Sequence, residues 1–175
     1  MVFKILAVVL VVLVAVIYFR PSQFRIERST LISAPAEAVF GHVNDLHQWE
    51  AWSPWAKLDP NATNSFEGAL SGVGAVMSWV GNKNVGVGSM TITESLASER
   101  IQFRLDFLKP FKGTNTAEFT FKPEANQTRV TWSMSGENNF IGKAISLFMN
   151  CDKMVGGQFE KGLASLKSVV ETGNI

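Results

Sequence analysis

Between Asn64 and Ser135 the chain alternates apolar and polar residues with a period of two, again and again, and only strands can satisfy that pattern. Six stretches carry it: 64–70, 75–80, 87–96, 101–108, 114–122 and 128–135. The links between them are short and rich in Gly, Asn and Pro, as in Gly81-Asn82-Lys83-Asn84 and Lys109-Pro110-Phe111-Lys112-Gly113. Six strands in succession joined by short links make an antiparallel meander. Its faces follow from parity. Ile101, Phe103, Leu105 and Phe107 share one side, Ala117, Phe119 and Phe121 another strand's equivalent side, and Val130, Trp132 and Met134 a third, whereas Arg104, Glu118 and Arg129 fall opposite. One face is therefore apolar and needs a cover.

The cover is predicted from the two flanks. Residues 22–33 alternate like a further strand, and Ser33 or Ala34 then stands near the N-cap of a short helix that carries Pro35 in its first turn and runs to about Asp45. Trp49 and Trp52 belong to a second short helix stopped by Pro54. At the C-terminal side Ile141, Ile145, Phe148, Val155, Phe159, Leu163, Leu166 and Val170 recur at helical steps, predicting one long helix whose stripe packs on the sheet. Gly156-Gly157 and Gly162 inside it imply a close approach of another backbone or a kink. The single Cys151 falls near that stripe as a small core residue and excludes an internal disulfide.

Ahead of all this lies ILAVVLVVLVAVIYF, fifteen apolar residues from Ile5 to Phe19, bounded by Lys4 and by Arg20-Pro21. Extended to Met1, a helix here would reach about 28 Å, close to the roughly 30 Å hydrocarbon core of a bilayer. The run lacks a small-x-small cleavage site and exits through Tyr18-Phe19-Arg20-Pro21. Residues 1–20 are accordingly read as an N-terminal single-pass membrane anchor, with a cleaved signal and a buried helix as the alternatives, and 22–175 as the folded domain. Arg20, Arg25 and Arg28 after the span lean towards a cytoplasmic domain. The whole chain carries a net charge of +1, which offers no basic footprint for nucleic acid.

A curved sheet against a long helix leaves a cavity between them. The wall residues expected by parity are Met77, Trp79, Met90, Ile92, Phe103, Leu105, Phe107, Phe119, Phe121, Trp132 and Met134 from the sheet, with Phe148, Val155 and Phe159 from the helix. Trp49, Trp52 and Trp55, every third residue, are expected either to pack a loop against the sheet mouth or to form an aromatic lid. Catalytic templates fare poorly. The only histidines are His42 and His47, with no HExxH, no GxSxG and no multi-Cys set, so neither a metal nor a cofactor is expected. Gly72-Val73-Gly74 and Gly86-Val87-Gly88 do not extend to GxGxxG and suit hairpins. Glu94 and Asn115, on inward parities, and His42 are the remaining acid–base candidates.

The chain resembles the START-like, or SRPBCC, superfamily and within it the polyketide cyclase/dehydrase-like branch. The residues that carry the resemblance are Ser33-Ala34-Pro35-Ala36-Glu37-Ala38-Val39-Phe40, Asn44-Asp45-Leu46, Trp49-x-x-Trp52-Ser53-Pro54-Trp55 and Asp59-Pro60, followed by Gly72-x-Gly74 and Gly86-x-Gly88 around Trp79. Pro110-Phe111, Val130-Thr131-Trp132 and Phe159-Glu160-Lys161-Gly162-Leu163 with Leu166-Lys167 complete it. The resemblance implies an α+β helix-grip fold, a curved antiparallel sheet wrapped around a long C-terminal helix, and a deep cavity for a hydrophobic small molecule or lipid. The fold hosts carriers as well as enzymes. Membrane-tethered binding or transport is the expectation, and a cyclase or dehydratase acting on an aromatic or polyketide-like substrate is the alternative.

Overall fold

The computed structural model describes residues 2–173, the side chain of Phe148 excepted. Phe148, expected on the helix side of the cavity wall, thus lies outside the described residues. The apolar N-terminal segment forms one helix, α1 (Val2–Phe19), exposed along nearly all its length with only Ile17 buried. Strand β1 (Gln23–Ile32) follows, then α2 (Ala36–Asn44), a single 3-10 turn at Leu46–Gln48, and the short α3 (Trp49–Trp52). The N-cap of α2 is Pro35, without a side-chain cap. Ser33 instead ties β1 to the end of the chain: its N–H donates to Glu171 Oε1 at 2.6 Å, and its hydroxyl accepts from Gln127 Nε2 at 2.9 Å.

The meander comprises β2 (Thr63–Gly68), β3 (Ala75–Val80), β4 (Val87–Leu96), β5 (Arg100–Lys109), β6 (Gly113–Glu124) and β7 (Gln127–Glu137). It forms one antiparallel sheet of seven strands in the order β1-β7-β6-β5-β4-β3-β2. The first strand returns beside the last. Parity assigns the faces of β5, β6 and β7 as expected, with Ile101, Phe103, Ala117, Phe119, Phe121, Val130, Trp132 and Met134 all buried.

The C-terminal helical pattern resolves into two helices rather than one: α4 (Phe140–Phe148) and α5 (Cys151–Thr172). Met149 is extended (φ −119°, ψ 126°), and the Asn150 side chain accepts from the Lys153 N–H at 2.9 Å to start a fresh helix. Of these two, α5 is the one that packs along the sheet, against β1 and β7. The α4 helix packs beside the end of α1, where Lys143 Nζ donates to the Tyr18 carbonyl at 3.3 Å and Arg20 to Ser146 Oγ at 3.4 Å. Cys151, at the junction, is exposed rather than part of the core.

In α5 Gly156 and Gly162 meet side chains, not another backbone, Gly157 faces open space, and the helix runs through all three without a break. A Cβ at Gly156 would run into the Arg28 guanidinium, which donates to Asp152 Oδ2 at 2.9 Å and to Glu160 Oε1 at 2.7 Å and so clamps α5 to β1. A Cβ at Gly162 would stand 2.7 Å from the Trp132 indole and 2.9 Å from the Pro54 ring.

Candidate functional site

The two halves of the apolar sheet face are covered differently. Over the half near the start of β7, α2 lies directly on the strands, with Phe40 edge-on to Phe121 at 5.6 Å. Ile92, Ile101, Phe119, Phe121 and Val130 form closed core there, none more than 2% exposed. Over the other half α5 and the segment after α3 stand off. A cavity of about 260 Å³ remains between them.

Of the residues expected in the wall, Met77, Trp79, Met90, Phe103, Leu105, Phe107, Trp132, Met134, Val155 and Phe159 border this cavity, whereas Ile92, Phe119 and Phe121 sit in the closed core beside it. Trp79 reaches the wall because Gly88 faces it across the strand pair: a Cβ on Gly88 would come within 2.6 Å of the indole. Trp79 then meets Phe107 edge to face at 6.0 Å.

The opposite wall comes from the segment 49–64, contributing Trp49, Glu50, Ser53, Trp55, Ala56, Asp59, Pro60, Ala62 and Asn64. Trp49 and Trp55 border the cavity, while Trp52 is fully buried behind them. The indole N–H groups of Trp49 and Trp52 donate to the Val43 and His42 carbonyls at 2.9 and 3.1 Å, which fastens α3 onto the end of α2. Trp132 is the hub of the aromatic packing. It stacks on Phe159 (4.2 Å between centroids) and Phe119 (4.7 Å) and receives Trp49, Trp52 and Trp55 edge to face at 5.5–6.0 Å. Its own indole N–H is buried and has no acceptor among the described residues.

Asp59, 7% exposed, holds the far rim of the cavity. Its carboxylate accepts the Asn61 N–H at 3.1 Å and the Asn82 N–H at 2.6 Å, joining the 59–62 loop to the β3–β4 link. The Asp59-Pro60-Asn61 order is the local signal for this turn, since an Asp side chain commonly accepts from the backbone two residues on.

The acid–base candidates lie elsewhere. The β4–β5 register shifts between Ile92 and Glu94, so the parity that placed Glu94 inward is reversed past that bulge. Glu94 instead accepts from Arg100 Nη2 at 2.5 Å. Asn115 keeps its parity but stands at the strand end, half-buried, its amide directed to Met134 Sδ at 3.9 Å. It borders a shallow groove with Phe24 and Gly136, not the cavity. His42 closes the last turn of α2 away from the cavity lining. His47 is exposed and stacks on Phe66 at 4.2 Å, with Nδ1 3.0 Å from Asp45 Oδ1. Among the described residues no cluster of three His, Cys, Asp or Glu side chains could hold a metal ion.

Comparison with known families agrees with this architecture. The profile of the family described as polyketide cyclase / dehydrase and lipid transport matches residues 23–171. The chain belongs to this family. The match spans β1 through nearly all of α5 and leaves α1 outside it. Solved structures similar to this polyketide cyclase / dehydrase and lipid transport family member share its helix-grip fold. A protein of Thermus thermophilus aligns over 87% of this chain and 100% of its own with a TM-score of 0.62 at 18% identity. A Chromobacterium violaceum protein gives 0.61 at 18% identity, covering 87% of this chain and 99% of its own. The Aha1 dimer of Colwellia psychrerythraea gives 0.59 at 18% identity over the same shares, 87% and 99%. A search of curated proteins gives no match.

Proposed function

We propose that this family member is a membrane-tethered carrier that binds a hydrophobic small molecule or lipid between α5 and the sheet. The observation that carries the reading is the cavity of about 260 Å³ walled by Trp79, Met90, Phe103, Leu105, Trp132, Met134 and Phe159. Small-molecule sites are concave and mostly apolar, with a few polar groups to orient the ligand, and their usual range starts at roughly 300 Å³, a little above this cavity. The unpartnered Trp132 N–H, in a residue that borders the cavity, favours a ligand that brings a hydrogen-bond acceptor. Glu94, Asn115 and His42 lie outside the lining, and this favours binding over the cyclase or dehydratase alternative.

The tether reading rests on α1. Its eighteen apolar-rich residues form a continuous helix that the rest of the fold leaves almost uncovered. A helix of that length spans about 27 Å, near the hydrocarbon thickness of a bilayer.

Native mass spectrometry of the full chain released from detergent, followed by organic extraction, tests the carrier reading. A stoichiometric apolar adduct is expected. A bare protein that also refuses fluorescent hydrophobic probes overturns it. Deleting residues 2–19 is expected to move the protein from the sedimenting membrane fraction to the supernatant, and retention in the membrane fraction would refute the single anchor.

A further inference from the structure

The strand register gathers one set of features at one end of the sheet. Gln23 pairs with Glu137, Asn115 with Gly136, Phe107 with Gly113, and Val87 with both Lys109 and Val80. The beginning of β1, the end of β7, the β5–β6 tip and the β3–β4 link therefore all lie at the end where α1 joins the domain. The cavity lies towards this end as well, because Trp79, Leu105, Phe107 and Met134 in its wall stand on the halves of β3, β5 and β7 that run to it.

This end is both apolar and basic. At the β5–β6 tip Phe111 is 65% exposed and Leu108 53%, with Lys109 and Lys112 on either side of Phe111. On α4, Phe140 and Ile141 are exposed beside the end of α1. Arg20, Lys83 and Lys143 add further positive charge. Most acids here are engaged: Asp106 is paired with Arg104 at 2.9 Å and accepts from Thr114, Asp152 is paired with Arg28, and Asp59 is buried on two backbone N–H groups, which leaves Glu137 and, on the cavity wall, Glu50. Outside Lys4 and Arg20 the chain has 14 basic and 15 acidic residues, so this concentration is local rather than a property of the whole.

We propose that this end of the domain docks on an anionic phospholipid surface, with Phe111 and the Phe140–Ile141 face of α4 entering the headgroup region and the flanking lysines meeting lipid phosphates. The inference rests on the tether reading, since α1 would bring this end to the bilayer. An apolar residue framed by lysines matches the headgroup boundary in both polarity and charge. Docked in this way, the cavity would open towards the bilayer, and an apolar ligand would pass between them without crossing water.

The experiment uses the full chain reconstituted into phosphatidylglycerol/phosphatidylcholine vesicles. In a Cys151→Ser background a bimane label is placed at Phe111→Cys, and in a separate chain at Ala97→Cys in the β4–β5 turn at the opposite end of the sheet. Both positions are exposed, so neither change removes packed core. Lipid-borne nitroxide is expected to quench the label at position 111 several-fold more than that at position 97, and Lys109→Ala/Lys112→Ala with the same label is expected to reduce the difference. If the chain sediments with the vesicles but both labels answer only to an aqueous quencher, docking is overturned while the tether stands. If the chain does not sediment, tether and docking fall together.

Discussion

Two glycines five residues apart on α5 should respond unequally to alanine. Gly157 has nothing within 4 Å of where a Cβ would be, so Gly157→Ala is expected to stabilise the domain by about 1 kcal/mol through helix propensity alone. Gly162 gains the same propensity, but its Cβ would meet Trp132 Cζ3 at 2.7 Å and Pro54 Cδ at 2.9 Å. Neither neighbour can swing aside. Trp132 is stacked between Phe159 and Phe119, and Pro54 is a ring in the chain just beyond α3. Overpacking of this kind costs about 1–3 kcal/mol, which cancels or exceeds the propensity gain. Gly162→Ala should therefore be less stable than Gly157→Ala by about 1–3 kcal/mol, at about 2–4 °C of Tm per kcal/mol for a domain of this size. Urea and thermal unfolding of the detergent-solubilised chain, followed by tryptophan fluorescence, measure both variants on one scale. Equal stabilisation by the two would mean that α5 does not approach the sheet as closely as the Trp132–Gly162 packing requires, and the cavity geometry would fall with it.

Leu105→Trp, which places a large ring in the cavity wall, should abolish uptake of a hydrophobic fluorescent probe, whereas Phe119→Ala, in closed core, should lower stability by about 3–5 kcal/mol in urea titration. Unchanged uptake in the first variant would remove Leu105 from the site. Asp59→Ala strands the Asn61 and Asn82 N–H groups and should cost about 1–3 kcal/mol and speed amide exchange at Asn82; protection as in the parent chain would show that the rim does not depend on this carboxylate. Acid should loosen the α5 clamp. Hydrogen bonds from Arg28 hold the Asp152 carboxyl below its ordinary value, and hydrogen bonds from the Ser33 N–H and Lys167 do the same for Glu171. A lowered folded-state pKa means stability that is fully present above the unfolded values near 3.8 and 4.5 and lost as pH falls through the lower folded ones. Urea midpoints should thus drop below about pH 4, and Asp152→Asn should flatten that limb; an unchanged limb would show that the Arg28 pair does not contribute to it.

The parts of this molecule that were legible in advance are those governed by a single period. Two-residue alternation placed Phe103, Phe119 and Trp132 on one face of the sheet because side chains along a strand have only two sides to choose between. The same rule misplaced Glu94, since one extra residue at the Ile92–Glu94 bulge inverts everything after it and leaves no mark on composition. The C-terminal pattern concealed its break for a related reason: Met149 is apolar and Asn150 polar, as a continuing helix would also accept, and the break shows in the extended backbone of Met149 and the capping bond to Lys153. Which aromatic residues border empty space is a different kind of question. Phe103 and Phe119 are equivalent by parity, yet one lines the cavity and the other is core, because α2 covers one half of the sheet and α5 stands away from the other. That distinction depends on contacts between elements far apart in the chain, among them the indole bonds that fix α3 to the end of α2 and the Arg28 clamp that sets α5 on β1. The cavity is thus a consequence of how far α5 and the segment after α3 are held from a sheet whose own pattern would accept closer packing, and ligand capacity should track those fastenings as closely as it tracks the wall residues themselves.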